Sequence, residues 1–316
     1  MLKMLQIKFY FRARSTTSPT MHSQLLRRPL RAARTGSRLL HMMSPLPYAA
    51  SALSVLSPTT VRHHRAIESE LVNGLNSLIA GTPFEHHAVE EIVVSTASDA
   101  AHAKIFNHAT EVWNHQLYWA RLLPGPAERR SPAESAPADL IEWVDKEFSS
   151  FDGMVEEMVA RSMGLWGSGW TWLVLERDSL QLKVVNSFGP VHPLAAGFKP
   201  LLAIDLWEHA YLLEGGGREA YVRAYLSAVD WAAVSADLLL AMKGADDEQK
   251  LKYVTRLAMK EMRQLRHVMI NHESVTLKEP LVLDDLGLSR KADEHPVDEI
   301  ERATAEMARK LSAEGK

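Results

Sequence analysis

The chain has 316 residues, no cysteine and a formal net charge of −3 at pH 7. The lack of cysteine excludes disulfides, thiolate metal sites and cysteine nucleophiles, so any metal must be bound through nitrogen and oxygen atoms. The first 67 residues contain eleven Lys or Arg and no acidic residue, which leaves 25 basic and 39 acidic residues for the remainder. This acidic main body argues against broad binding to nucleic acid.

Residues 1–45 are predicted to be a mitochondrial targeting segment. They combine basic, apolar and Ser/Thr residues without any acid, which is typical of transit peptides. A disordered tail or an incorrectly assigned start codon is the alternative. We therefore expect the protein in the mitochondrial matrix. The stretch Met1–Tyr10 is too short and too charged to span a bilayer, and no later segment is long enough, so no membrane insertion is expected.

The N-terminal half is predicted to be helical. Apolar residues spaced by three and four predict a helix over Thr60–Asn76, and a second helical run covers about Asp99–Trp119. A Gly-Thr-Pro sequence interrupts the chain between them. We expect a helical hairpin domain over residues 46–124. Residues 125–138, which are rich in proline and in small or charged residues, form the predicted linker.

The second half is predicted to contain a three-stranded antiparallel sheet. Two helices are expected within Asp139–Met163. Three runs rich in Val, Leu, Ile and Trp follow as strands: Trp170–Glu176, Leu180–Phe188 and Leu201–Trp207. We assign residues 139–235 to this α/β domain, so the fold class is α+β. Residues 236–316 form a predicted helical extension with two amphipathic stretches, which either pack on the domain or bind another protein.

Two segments carry residues suited to metal binding. Asp205 and His209 lie four residues apart directly after an apolar strand. A buried carboxylate needs a cation or a metal to compensate its charge, so a salt bridge and a metal ligand are both open for Asp205. His115 lies on an aromatic-rich helix, where a lone histidine is more often a hydrogen-bonded core residue than a ligand.

These segments resemble the iron/manganese superoxide dismutases. Three elements occur in the family's order: Trp-Asn-His-x-x-Tyr-Trp at 113–119, Gly-Ser-Gly-Trp-Thr-Trp at 167–172, and Asp-Leu-Trp-Glu-His-Ala-Tyr at 205–211. The segment 76–85 also resembles a loop of the iron enzymes. The resemblance covers roughly residues 56–234 and is highly specific. It implies the family's two-domain fold.

The resemblance also implies an enzyme and a ligand set. The expected activity is that of an iron-type dismutase, which converts superoxide to dioxygen and hydrogen peroxide at one metal ion, with manganese as the alternative metal. Position by position, His115, Asp205 and His209 match ligands. The first ligand falls on His63 in an alignment without gaps, and on His64 with a shift of one residue. We select His63.

Further roles follow for the residues around the metal. Four tryptophans match the aromatic shell that keeps the family's site dry: Trp113, Trp119, Trp170 and Trp207. Glu111 replaces the glutamine that tunes the metal-bound solvent in the iron enzymes. A carboxylate there either favours the higher oxidation state or is itself protonated. Glu208 matches the glutamate that crosses the dimer interface, so a homodimer or a heterodimer with a related chain is expected.

The entrance to the site departs from the family. Its gateway histidine and tyrosine align with Ile67 and Leu71, and the tyrosine that reaches the gateway across the dimer aligns with Leu212. Replacing both partners of a hydrogen bond by aliphatic residues leaves no polar group unpaired, which indicates a coordinated change. An apolar gateway would slow the entry of anions and protons.

Two functions therefore remain open. The first is an active dismutase, which the complete ligand set favours. The second is a dismutase-like structural subunit of the mitochondrial ribosome with little or no activity. In that case the partners are ribosomal proteins bound through residues 236–316. The targeting segment, the extension and the altered gateway all resemble such subunits.

Overall fold

The computed structural model describes residues 41–125 and 131–246, and then 248–250, 252–257, 259–260 and 263. The described chain divides into two compact units. The first contains the residues up to Arg177 together with Gln181–Gly244, and the second contains Asp178–Leu180 together with the residues from Ala245 onward. Almost all of the predicted targeting segment, and most of the predicted extension, lie outside the described residues.

A helical hairpin opens the first unit. Helix α1 (Pro58–Ile79) begins after Ser57, whose Oγ accepts a hydrogen bond from the backbone N–H of Thr60. Helices α2 (Val89–Thr96) and α3 (Ala103–Ala120) follow. The two long helices that the sequence predicts are confirmed, and α2 is an additional short helix between them.

The helices of the hairpin pack through buried aliphatic residues. Leu75 on α1, Ile92 on α2 and Ala109 on α3 belong to one apolar cluster and have no exposed surface. The imidazole of His108 on α3 packs against Gly74 on α1, where a Cβ atom would lie 2.6 Å from Cδ2 of that ring. This packing fixes the relative position of two helices that each contribute a histidine to the site described below.

The second half of the unit contains helices and one sheet. A short helix, α4 (Pro132–Ser135), lies within the predicted linker. The two helices predicted next are confirmed as α5 (Ala138–Phe148) and α6 (Phe151–Gly164). The three predicted strands are confirmed as β1 (Gly169–Glu176), β2 (Gln181–Phe188) and β3 (Phe198–Asp205). They form an antiparallel sheet in the order β2-β1-β3.

The sheet places the end of β3 beside an aromatic residue of β1. Strand β1 is central and is buried along all of its length except Glu176. Its Trp170 is paired in register with Asp205, the last residue of β3. Asp205, the metal-binding candidate at the end of β3, therefore lies in the interior.

Two further helices complete the unit. They are α7 (Gly217–Ser227) and α8 (Trp231–Lys243), and α8 runs across the predicted boundary between residues 235 and 236. In the second unit, the described residues from 248 onward are helical. None of the described helices combines the length and the apolar character that crossing a membrane requires.

Candidate metal centre

Four side chains from four separate segments meet inside the first unit. His64 lies on α1, His115 on α3, Asp205 at the end of β3, and His209 in the short helical turn Glu208–Ala210. One potential ligand atom of each residue lies within 4.8 Å of those of the other three. Among the described residues, this is the one group of three or more His, Asp or Glu side chains with such an arrangement.

Asp205 is the centre of the cluster. Its Oδ2 lies 3.0 Å from Nε2 of His64, 3.1 Å from Nε2 of His209 and 3.8 Å from Nε2 of His115. Its Oδ1 accepts a hydrogen bond from the backbone N–H of Trp207 at 2.8 Å. Three imidazole nitrogens therefore converge on one carboxylate oxygen. No Lys or Arg of the described chain pairs with Asp205, so the simple salt bridge is not what the structure shows.

The charges of the cluster suit a metal cation. Burial by itself raises the pKa of Asp205, but the close contacts with His209 and His64 outweigh it and hold that pKa below its ordinary value. Burial lowers the pKa of His64, and it lowers the pKa of His115 to about 3. The site thus presents an ionised carboxylate, and burial favours the neutral imidazoles of His64 and His115, which are the protonation states that metal binding requires.

His115 is oriented as a ligand histidine would be. Its Nδ1 donates a hydrogen bond to the backbone carbonyl of Glu111 at 2.7 Å, which directs Nε2 toward the cluster. This Nε2 is buried and has no hydrogen-bond partner among the described residues. A buried nitrogen without a partner is costly, and a bound cation would relieve that cost. The residues present therefore fit a metal with nitrogen and oxygen ligands.

The selection of His63 is wrong by one residue. His63 is exposed, whereas His64 is completely buried and lies in the cluster. Helix α1 buries one stripe of residues at steps of three and four: Thr60, Val61, His64, Glu68, Val72, Leu75 and Ile79. An alignment without gaps does not follow this stripe. Counting back from Val72 in steps of four would have reached His64 from the sequence alone.

The register of α1 also changes which of its residues follow the ligand candidate on the buried face. Ile67 and Leu71 are only half-buried. Counted from His64, the residues one and two turns later on the buried stripe are Glu68 and Val72. A buried carboxylate, not an isoleucine, thus follows the ligand candidate by one turn. Leu212 is 66% exposed in the single chain.

Aromatic rings enclose the cluster. Three of the predicted tryptophans contact ligand candidates, with ring centroids 4.9 Å apart for Trp119 and His64, 5.3 Å for Trp170 and His115, and 6.0 Å for Trp207 and His209. Trp113 instead packs at 4.3 Å against the buried His192. Tyr118 was not singled out from the sequence, although it belongs to the Trp-Asn-His-x-x-Tyr-Trp element. Its ring lies 5.1 Å from that of His64.

Glu111 lies beside the cluster as a buried acid. Its Oε1 accepts a hydrogen bond from the indole N–H of Trp170 at 3.3 Å, and its Oε2 lies 3.6 Å from Nδ1 of His115. Burial, together with the negative charge of Asp205, raises the pKa of Glu111 well above its ordinary value. Of the two alternatives for this residue, burial and the charge of Asp205 favour the protonated carboxyl group, whereas the hydrogen bond from Trp170 favours the ionised one.

Known proteins resemble the chain over the same region. Residues 40–123 match the family model described as the alpha-hairpin domain of iron/manganese superoxide dismutases, and residues 136–237 match that of the C-terminal domain. An iron superoxide dismutase of Synechocystis sp. is 35% identical over 207 residues, which cover 64% of this chain and 100% of that protein. One from Bacteroides fragilis is 40% identical over 203 residues, covering 63% of this chain and 100% of that protein.

A plant relative extends the comparison. A chloroplastic iron superoxide dismutase of Arabidopsis thaliana is 34% identical over 206 residues, which cover 63% of this chain and 92% of that protein. The matched ranges contain His64, His115, Asp205 and His209. The residues before 40 and after 237 lie outside both matched family domains.

Proposed function

We propose that this chain, which belongs to the iron/manganese superoxide dismutase family, converts superoxide to dioxygen and hydrogen peroxide. His64, His115, Asp205 and His209 would hold one iron ion, with manganese as the alternative metal. The observation that carries the proposal is the convergence of three histidine nitrogens on the buried carboxylate of Asp205. The metal supplies one-electron exchange: one superoxide loses an electron to become dioxygen, and a second gains an electron and two protons to become hydrogen peroxide.

The surrounding residues have roles that this chemistry needs. Asp205 contributes the negative charge that offsets the cation, and the three imidazoles complete the donor set. Trp119, Trp170 and Trp207 cover the ligand candidates and exclude water. Glu111 holds a proton on a carboxyl group beside His115.

Metal analysis of a matched pair of variants tests the proposal. Protein produced with iron in the medium is purified, its metal content is measured by mass spectrometry, and its dismutation of superoxide is assayed. We expect close to one iron per chain and measurable dismutation. His64→Ala should lose both, because it removes one of four ligands, whereas His63→Ala should keep both, because His63 is exposed.

Two results would contradict the proposal. Equal losses in the His63→Ala and His64→Ala variants would refute the assignment of the first ligand. A wild-type protein that contains no metal even after incubation with iron would refute the proposed dismutase activity. If that protein sedimented with mitochondrial ribosomal particles, the structural-subunit alternative would replace it, although the comparisons give this alternative no support.

We also propose that a second copy of the chain covers an apolar surface next to the site. Trp166 is 92% exposed, Leu212 66% and Leu213 51%. Arg218 joins them into one surface, since it donates hydrogen bonds to the carbonyls on either side of Trp166 and to the hydroxyl of Tyr211. Exposed apolar patches of this kind mark interaction sites. Glu208, which precedes His209 in the chain, is also exposed.

The mass in solution tests this dimer. Light scattering after gel filtration should give twice the mass of one chain for wild-type protein. Leu212→Glu, which places a charge in the apolar contact, should give a monomer. Val94→Glu is the matched control, because Val94 is 56% exposed on α2 and distant in sequence from this surface. Monomeric wild-type protein would refute the homodimer and leave a related chain as the partner.

The mitochondrial matrix remains a proposal that rests on the composition of residues 1–45. Import of the full chain into isolated mitochondria should be followed by removal of the N-terminal segment. A version that lacks residues 1–40 should stay outside. Equal import of the two proteins would contradict the proposal that the N-terminal segment directs the chain to the mitochondrial matrix.

A further inference from the structure

The two buried histidines of the hairpin are oriented by different means. A hydrogen bond from Nδ1 to the carbonyl of Glu111 sets the ring of His115. The Nδ1 of His64, by contrast, has no hydrogen-bond partner among the described residues. Two aromatic rings of α3 pack against the His64 ring instead, at centroid distances of 5.1 Å for Tyr118 and 4.9 Å for Trp119. Packing therefore takes the place of the hydrogen bond that usually fixes a ligand histidine.

Trp119 is held in turn by a charged residue of α1. The Cζ atom of Arg65 lies 5.9 Å from the centroid of the Trp119 ring, within the range of a cation–π contact. Glu68, one helical turn after His64, is buried and pairs with Arg65, so it acts on Trp119 through the guanidinium.

Glu68 and Arg65 form an ion pair at a core position. Nη1 of Arg65 lies 2.5 Å from Oε2 of Glu68, and the side chain of Glu68 has no exposed surface while that of Arg65 is 12% exposed. Nη2 of Arg65 donates a hydrogen bond to the backbone carbonyl of Ser44. A pair of apolar residues would fill this position at lower cost. The charged pair instead fixes the position of Arg65 over the ring of Trp119.

We propose that Glu68 and Arg65 are positioning residues for His64. Their ion pair holds the indole of Trp119, and the indole holds the plane of the His64 imidazole. The consequence for metal binding rests on the proposed function. The positioning itself is a property of the metal-free protein, so it can be measured whether or not the metal proposal holds.

Two readouts on the full chain test the inference. The first is the NMR spectrum of metal-free protein with ¹³C-labelled histidine, in which the ring-current field of Trp119 shifts the His64 signals. The second is the affinity for Fe²⁺ alone, titrated without oxygen. The variants are Glu68→Leu, Glu68→Gln and the double variant Arg65→Met with Glu68→Leu. Glu70→Gln, on the exposed face of the same helix, is the matched control.

The expected results separate positioning from stability. Glu68→Leu should move the His64 signals and weaken Fe²⁺ binding roughly tenfold, the size of effect that residues behind a ligand have. Glu68→Gln keeps an oxygen acceptor for the Arg65 guanidinium, so it should retain more of the His64 signal positions and of the Fe²⁺ affinity. The double variant leaves no charge buried without a partner, so it should recover stability but not the His64 signals. Glu70→Gln should match wild type.

Unchanged His64 signals in the folded double variant would overturn the inference. So would a loss of Fe²⁺ affinity that follows only the loss of stability across the variants. A wild-type protein that binds no Fe²⁺ would instead refute the proposed function. The NMR comparison would then still decide whether Glu68 and Arg65 set the position of His64.

Discussion

Three buried carboxyl groups near the site differ in charge because their neighbours differ. Asp205 faces imidazoles, and these hold its pKa below the ordinary value in spite of complete burial. Glu111 faces Asp205, so burial and like charge together raise its pKa. Burial raises the pKa of Glu68 to about 7, although Arg65 and Trp119 act against it. Burial raises the pKa of all three carboxyl groups, and only for Asp205 do the neighbouring side chains outweigh it.

The raised pKa of Glu68 predicts a pH dependence of stability. Between its ordinary pKa of 4.5 and about 7, the folded protein keeps a proton that the unfolded chain has released. The resulting stabilisation is fully present below pH 4.5 and is lost as the pH rises through about 7. At about 1.4 kcal/mol per pKa unit, it amounts to about 3–4 kcal/mol. Glu68→Gln cannot release a proton and should not show this loss.

Urea unfolding of metal-free protein at several pH values measures this difference. The free energy of unfolding of wild type should fall relative to that of Glu68→Gln as the pH is raised from acid to slightly alkaline. Because the comparison is between two proteins, the titration of the histidines cancels. Glu70→Gln should follow wild type. Parallel curves for wild type and Glu68→Gln would contradict the prediction.

The four ligand candidates differ in how far the sequence alone identifies them. His115, Asp205 and His209 are singled out by local motifs, and the structure brings them together. His64 has a histidine neighbour on the same helix, so residue type cannot separate the two. Helical periodicity can, because one step along a helix rotates a side chain by about 100° and moves it out of the core stripe. The contact of Trp119 with Arg65 depends on the packing of two helices and carries no sequence signal.

Among the elements, strand β1 depends on a glycine at its first residue. A Cβ atom at Gly169 would lie 2.1 Å from the backbone carbonyl oxygen of Ser187 and 3.1 Å from Cα of Phe188. Since both atoms belong to the backbone of β2, neither can move aside. We expect Gly169→Ala to lower the free energy of unfolding by at least about 3 kcal/mol, the upper range for overpacking.

A second glycine of the same motif provides the control. Gly167 has a φ of +90°, but a Cβ atom there meets nothing within 4 Å. Gly167→Ala should therefore cost only the backbone strain, about 1–2 kcal/mol. Chemical denaturation of both variants measures the difference. Equal losses in the free energy of unfolding would mean that β1 and β2 separate easily. Trp170 would then not be held rigidly beside His115.

The helices and strands differ in how clearly the sequence predicts them. The long helices and the three strands have strong apolar patterns and are predicted within a few residues. Helix α2 was missed because it has eight residues and begins after Ala88, which cannot cap a helix with its side chain. Its start is instead stabilised by Glu91, whose Oε2 accepts a hydrogen bond from the backbone N–H of Ala88 at 2.8 Å. Short helices of this kind depend on tertiary packing.

At the scale of the whole first unit, the site requires the hairpin and the sheet to stay together. Arg121, at the end of α3, is completely buried, and its Nε donates a hydrogen bond to the carbonyl of Leu201 on β3 at 2.7 Å. Its Nη2 pairs with the carboxylate of Asp237 on α8. The backbone N–H of Asp230 donates to the carbonyl of Arg121 at 2.7 Å. Because α3 carries His115 and β3 carries Asp205, these contacts set the spacing of the ligand candidates.

Nothing in the sequence pointed to Arg121 and Asp237 as partners, since 116 positions separate them. Asp237→Ala should leave the Arg121 guanidinium buried without its carboxylate, which costs about 3–5 kcal/mol. In a protein of this size, the melting temperature should then fall on the order of 10 °C. Replacing both residues, Arg121→Met with Asp237→Leu, should cost less than Asp237→Ala alone, because no charge stays buried without a partner.

Calorimetry of metal-free protein measures these differences, with Asp145→Ala, at an exposed position on α5, as the matched control. If Asp237→Ala melted no earlier than Asp145→Ala, the hairpin and the sheet would be joined mainly by apolar contacts. If Asp237→Ala melted earlier than the control, iron binding would help to show which part of the structure is affected. A bound ion stabilises only the folded arrangement that brings α1, α3 and β3 together. Added iron should therefore recover part of the lost melting temperature in Asp237→Ala, and none of it when His64→Ala is also present.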